Sequence, residues 1–262
     1  MPSPTIRGII LSQPISGPAA AFLARTTGLD NFHRKAYIKL INGLVSDGVW
    51  SKLDLLQIYA APDQTTANLN LISTDFTAST TGSPVWTADR GYTTASGKWV
   101  DTNWNPATNG VQFTQDAAHV GYWSGTTASQ FQFTIGLKTT SNGQLRMVGR
   151  ASGDTSNISI NDNTAASTPA NADGGGFFVG VRTNSTTKQI WRNGSQLGGD
   201  ITRATLAVQS FILQSAGDNV NSGNSAAIVT RAMFAGNALS AAEIGLFYTR
   251  MSIFMTTIGA VP

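Results

Sequence analysis

Between residues 63 and 237 the chain alternates short apolar stretches with loops of Thr, Ser, Asn and Gly, and no stretch there reads as a crossover helix. A chain punctuated in this way builds antiparallel strands joined by turns; parallel strands need long, usually helical, connections. Strands are expected at 111–114, 119–123, 131–137, 145–149, 158–160, 177–182, 188–192, 208–213 and 227–234. Residues 131–137 alternate apolar and polar side chains, as in an antiparallel sheet with one wet face. Asn193-Gly194 follows the 188–192 stretch, and both residue types accept the positive φ angles of a type I′ hairpin turn. Composition agrees. Charged residues make up only 12% of the chain, about half the usual share. Their replacements are poor in helix interiors but at home in strands and turns.

The two ends read differently. Residues 1–29 hold Pro2, Pro4, Pro14 and Pro18, so an extended arm is expected, with a short helix at 19–25. Residues 30–62 form a small helical segment. Asp30 caps a helix bearing Tyr37, Ile38, Ile41, Leu44 and Val45 at helical spacing. Ser46-Asp47-Gly48 breaks it. Asp47 then caps a second short helix through Val49, Trp50, Leu53 and Leu56, or else residues 55–61 begin the sheet. Residues 63–262 are the sandwich, closed by a helix over 240–258. There Ser240 and Glu243 make a capping box, and Ile244, Phe247, Tyr248, Met251, Met255 and Ile258 form one stripe. That helix is expected on the sandwich edge or against the N-terminal helices.

Several function classes fall away. The net charge of +3 comes from thinly spread cations, densest at His33-Arg34-Lys35, without the stripe that nucleic-acid binders gather. There is no cysteine, hence no disulfide, thiolate zinc site or cysteine nucleophile. The apolar runs at 8–11 and 19–24 are too short to cross a bilayer and lack the form of a signal peptide, so no membrane insertion is expected. If the protein works outside the cell that made it, release by lysis or assembly is expected. Gly174-Gly175-Gly176 lacks the Lys-Ser/Thr of a phosphate loop. The two histidines, His33 and His119, read as structural, leaving neither a triad base nor zinc spacing.

The Trp191-Arg192-Asn193-Gly194 hairpin, the late strand at 228–234 and the ending Asn237-Ala-Leu-Ser240-Ala-Ala-Glu243-Ile-Gly-Leu-Phe-Tyr248 resemble the concanavalin A-like, laminin-G-like jelly-roll superfamily over residues 63–258. The front part is similar to a region preceding such sandwiches in bacteriophage and prophage structural proteins. Its matching residues run from Thr27-Gly28-Leu29-Asp30 through His33, Ala36-Tyr37 and Asp47-Gly48-Val49-Trp50 to Leu53-Asp54. The resemblance implies a mainly β protein, an antiparallel jelly-roll sandwich, in a virion: a tail, fibre or surface-decoration component. It implies synthesis in the host bacterial cytoplasm, release by lysis, and partners among other virion proteins and copies of the same chain. The arm is expected to dock on such a neighbour.

The superfamily includes glucanases, whose chemistry needs two carboxylates about 5–5.5 Å apart for retention or 6.5–9.5 Å for inversion. Their members carry two glutamates flanking an aspartate on one strand. This chain has one glutamate, Glu243, which reads as a cap, and no two aspartates stand at i, i+2 on an expected strand. No enzyme is expected, although two remote aspartates converging in a groove would make a depolymerase. Superfamily members often hold a rim calcium through Asp and Asn oxygens. Asp218, Asn219, Asn221 and Asn224 form one candidate loop and Asn161-Asp162-Asn163 another, with an Asx-rich turn as the competing reading. No other cofactor is expected. The aromatics are the best functional lead. Trp86, Tyr92, Trp99 and Trp104 crowd a polar stretch, and Tyr122-Trp123 follows. Flat rings stack on the apolar faces of sugars, so Trp99, Trp104, Tyr122 and Trp123 are candidate carbohydrate-binding residues. Core filling is the competing reading. The expected function is a non-enzymatic virion structural protein whose outward sandwich binds host-surface glycans, with a purely architectural role as the alternative.

Overall fold

The computed structural model describes residues 16–130, 134–138, 144–163, 166–217 and 227–261. Helices lie at both ends. Helix α1 spans Gly17–Leu23 and α2 spans Asn31–Ser46, where the Asp30 side chain accepts the His33 N–H as the sequence predicts. Short helices α3 (Gln64–Ala67) and α4 (Pro106–Asn109) sit in loops. Helix α5 (Ala241–Thr257) starts at the expected capping box of Ser240 and Glu243.

Strands are numbered along the chain. The first sheet contains β1 (Leu53–Ile58), β3 (Val85–Thr87), β4 (Gly91–Thr93), β6 (Ala118–Ser124) and β11 (Gly176–Arg182). It also holds β12 (Thr187–Arg192), β13 (Ser195–Gln196), β14 (Ile201–Thr202) and β16 (Val229–Gly236). The second sheet contains β2 (Ser79–Thr81), β5 (Trp99–Asp101), β7 (Ile135–Lys138), β8 (Gln144–Ala151), β9 (Thr155–Asp162), β10 (Ala166–Ala170) and β15 (Gln214–Ser215). Every pairing among these strands is antiparallel. The protein is an antiparallel β-sandwich with a helical layer on the first sheet.

That extra layer explains why β6 and β11 are buried along their whole length: a strand covered on both faces carries apolar residues without alternation. Phe177, Val179 and Val181 of β11 belong to the helix-side core, while Phe178 belongs to the core between the sheets. Phe177 stacks on Phe234 with ring centroids 5.0 Å apart, and Phe247 of α5 caps the pair at 4.7 Å from Phe234. Each fully buried ring contributes about 1.5–3 kcal/mol. Between the sheets, a Cβ on Gly180 would run into the Ile158 side chain, so only glycine permits this approach.

Four expectations need correction. Residues 30–62 are not a separate helical unit: after a 3-10 turn at Trp50–Lys52, β1 pairs with β16 inside the first sheet. Part of the supposed arm belongs to the domain, because α1 buries Ala19 and Phe22, with Phe22 4.8 Å from the Tyr37 ring. Residues 111–114 are no strand, since the Asp54 carboxylate captures the N–H groups of Val111, Gln112 and Phe113 at 3.2, 2.9 and 2.8 Å. Their donors are thereby lost to any ladder. Residues 208–213 likewise stay outside the sheets, and only Gln214–Ser215 pairs. Of the stretch 131–137, residues 131–133 lie outside the described residues and 135–138 form β7.

Candidate functional site

The structure does not assemble Trp99, Trp104, Tyr122 and Trp123 into one platform. Trp104 is fully buried, edge-on to Phe113 at 5.6 Å. Tyr122 is buried between the sheets, stacked on Phe178 at 5.4 Å, and burial raises its hydroxyl pKa. Trp123 points to the opposite face of the first sheet and stacks on Tyr248 of α5 at 6.3 Å. No sugar reaches these three rings. A large ring releases most free energy when removed from water, and here both faces of β6 are covered.

Trp99 is different. It is half-buried on β5, in the second sheet. Strand alternation places Val100 in the core and turns Trp99 and Asp101 together toward the other face. The Trp99 indole N–H donates to Asp101, 3.1 Å from Oδ2 and 3.2 Å from Oδ1. Asp101 also accepts from Thr81 Oγ1 at 3.1 Å and from Gln214 Nε2 at 2.6 Å. Register produces the cluster: Thr81 of β2 lies opposite Trp99, and Gln214 of β15 lies opposite Asp101. A ring held by its own N–H beside a carboxylate and a carboxamide suits a ligand with an apolar face and hydroxyl edges. The aromatic is the only member that sequence reasoning singled out. The Trp-x-Asp alternation was the available signal for Asp101, whereas Gln214 is 113 residues away and joins only through strand pairing.

The calcium candidates fare unequally. Asp218, Asn219, Asn221 and Asn224 lie outside the described residues. At the second loop, Asp162 Oδ2 accepts from Arg182 Nη2 at 2.8 Å and from Lys188 Nζ at 2.7 Å, all three side chains being buried. Asn161 donates to the carbonyls of Thr114 and Gln115. A guanidinium and an ammonium already neutralise the carboxylate and would repel a third cation, so this loop is an internal ion cluster and not a calcium site. Burial lowers the pKa of both Arg182 and Lys188, while Asp162 pulls the other way. Among the described residues no group of three acidic or histidine side chains could hold a metal.

Other carboxylates are committed to the scaffold. Glu243 caps α5 and pairs with Lys52 at 2.7 Å. Asp63 caps α3, and Asp47 holds Arg250 at 2.7 Å. Both histidines are structural, as the sequence predicts. His33 sits between Asp30 (3.0 Å) and Asp89 (3.1 Å). His119 is fully buried beside the Asn237 carbonyl, and its pKa is pushed down to about 4, chiefly by burial. No described helix is long and apolar enough to cross a membrane.

No protein-family model matches the sequence, and none of the curated proteins matches it. Solved structures do. The chain is similar to Trypanosoma rangeli sialidase in complex with 2,3-difluorosialic acid, a covalent intermediate, at a TM-score of 0.56 and 12% identity, over 84% of this chain and 40% of that one. It is also similar to a mutant of that sialidase displaying trans-sialidase activity, at a TM-score of 0.55 and 10% identity, over 84% of this chain and 39% of the other. The chain thus spans about two fifths of the sialidases' length. At such identities the likeness concerns fold, and it places this chain among antiparallel β-sandwiches.

Proposed function

We propose that the protein is a non-enzymatic structural component of a phage virion whose sandwich binds host-surface glycans through Trp99. The observation that carries the glycan reading is the half-buried Trp99 ring, its N–H fixed by Asp101 and backed by Thr81 and Gln214. The virion setting rests on the resemblance of residues 27–54 to the region preceding phage sandwiches, and the partners would be other virion proteins and further copies of this chain. Hydrolysis is not carried over from the sialidases. The chain spans a minority of their length, and of the described carboxylates discussed above only Asp101 stands beside the Trp99 ring, the others serving caps, ion pairs and backbone donors.

One ring with a few polar neighbours binds weakly, because little interaction energy stands against the ordering costs of the ligand. Many linked copies raise avidity by about 10²–10⁴ without a new contact. The test is a glycan-array screen of the purified protein and of assembled particles, using Trp99→Ala with Trp104→Ala as the contrast. Trp99→Ala should abolish binding at a stability cost of about 1–2 kcal/mol, from one lost hydrogen bond and a half-buried ring. Trp104→Ala should cost about 3–5 kcal/mol, as a core ring does. If Trp99→Ala particles adsorb as before, the glycan reading fails and an architectural role stands. New reducing ends released from a host polysaccharide would overturn the non-enzymatic reading.

A further inference from the structure

Helix α2 carries Arg34, Lys35 and Lys39 but no acidic residue between Asn31 and Ser46. Arg34 and Lys35 stand about one turn into the helix and Lys39 at its middle, so none of the three is at the C-terminal end, where the helix dipole favours a cation. The capping Asp30 is engaged by His33. Lys35 and Lys39 are exposed and make no ion pair among the described residues. Local helix energetics therefore give no reason for this charge.

Beside it lies a groove of 270 Å³ between α2 and α5. Phe32, Leu40, Ile253 and Phe254 line it together with Lys35 and Lys39. Phe32 stands 51% exposed. Arg250 also borders the groove but is already neutralised by Asp47, at 2.7 and 2.9 Å, so the uncompensated charge is that of the lysines. From Phe32 to Leu40 the wall runs about 12 Å along α2, the length over which an amphipathic helix presents apolar anchors at i, i+3 or i+4, and i+7.

We propose that the α2–α5 groove docks an acidic amphipathic helix of a partner protein, apolar anchors seated on Phe32 and Ile253 over a floor of buried Leu40 and Phe254, and carboxylates facing Lys35 and Lys39. Charge selects this occupant. A second copy seated by the same face would set Arg34, Lys35 and Lys39 against themselves, and like charges across an interface are costly. Residues 1–15 are apolar enough but carry Arg7 and no acid. The inference is independent of the glycan site, which lies in the second sheet.

The experiment titrates the full chain with a labelled helix-forming peptide of about 15 residues, long enough to hold a helix on its partner. The peptide bears Leu at i, i+4 and i+7 flanked by Glu. Fluorescence anisotropy should show binding that weakens with salt and falls at least about tenfold in Lys35→Glu/Lys39→Glu, equivalent to about 1.4 kcal/mol. A peptide with Lys in place of Glu should regain affinity for that variant. An unchanged thermal melt of the double variant shows that docking alone was altered. The proposal is overturned if the acidic peptide does not bind or if the basic peptide binds the wild type equally well. Two further results overturn it: a wild-type dimer that the double variant dissolves, or binding to phosphatidylserine vesicles in place of the peptide.

Discussion

Replacing Asp162 with Asn tests the internal ion cluster. One carboxylate oxygen serves two cations at 2.8 and 2.7 Å, and the side chains of Arg182 and Lys188 are 0% exposed. Carbonyls complete the cage: Arg182 donates to Ile160 at 2.7 Å and to Arg203 at 3.0 Å, and Lys188 donates to Ile158 at 2.9 Å. Asparagine keeps the shape but deletes the only negative charge on the trio. It leaves two buried cations facing a neutral amide, which can also turn its N–H groups toward them. Breaking a buried pair in this way costs about 3–5 kcal/mol. For a chain of this size that is a fall in Tm of about 6–20 °C. Urea denaturation followed by tryptophan fluorescence, with a parallel thermal melt, reads the change. Adding Lys188→Met should recover part of the loss, because one orphaned charge then disappears. A loss below about 1 kcal/mol would show that the carboxylate does not compensate these cations, and the reasoning would fail.

Gly194→Val should destabilise the domain by at least about 1 kcal/mol. Position 194 has φ +80, and an added Cβ there would stand 3.1 Å from Tyr248; an unchanged melt would contradict this. His119 titrates near 4 when folded and near about 6.5 when unfolded. Between those values only the unfolded chain takes up the proton, so stability should fall as pH drops from 6.5 to 4, by about 3 kcal/mol in all. His119→Asn retains a donor toward the Asn237 carbonyl without a titrating group, and should flatten that slope in urea melts across the range. Arg231 is 6% exposed, and its Nε and Nη1 find no hydrogen-bond partner among the described residues. Arg231→Met should raise the urea midpoint, worth at least about 1 kcal/mol, because an unpaired buried guanidinium opposes folding.

Local signals were legible wherever a few neighbouring residues suffice. Asn193 and Gly194 adopt φ of 48 and 80 between β12 and β13, the two-residue turn that their side chains permit. Asp30 and Ser240 start α2 and α5 because each cap bonds an amide three residues onward. The short strands β2 to β5 escaped notice because three residues carry too little periodicity to stand out from loop. The 111–114 stretch misled for the opposite reason: its apolar pattern is real, and the distant Asp54 diverts its backbone donors.

By itself the sequence determined the antiparallel β class, the turn at Asn193-Gly194 and the helix starts, since period, cap and turn chemistry act within about four residues along the chain. Tertiary structure alone decided which aromatic meets water. Tyr122 and Trp123 are adjacent and point to opposite faces, yet both are buried, because the second sheet covers one face of β6 and α5 the other. It alone turned Asp162 from an apparent metal ligand into the counter-ion of Arg182 and Lys188, and brought Gln214 to Asp101 beside Trp99. Strand pairing joins residues more than a hundred positions apart, and burial follows from what lies across the sheet, a relation that neighbours along the chain do not encode.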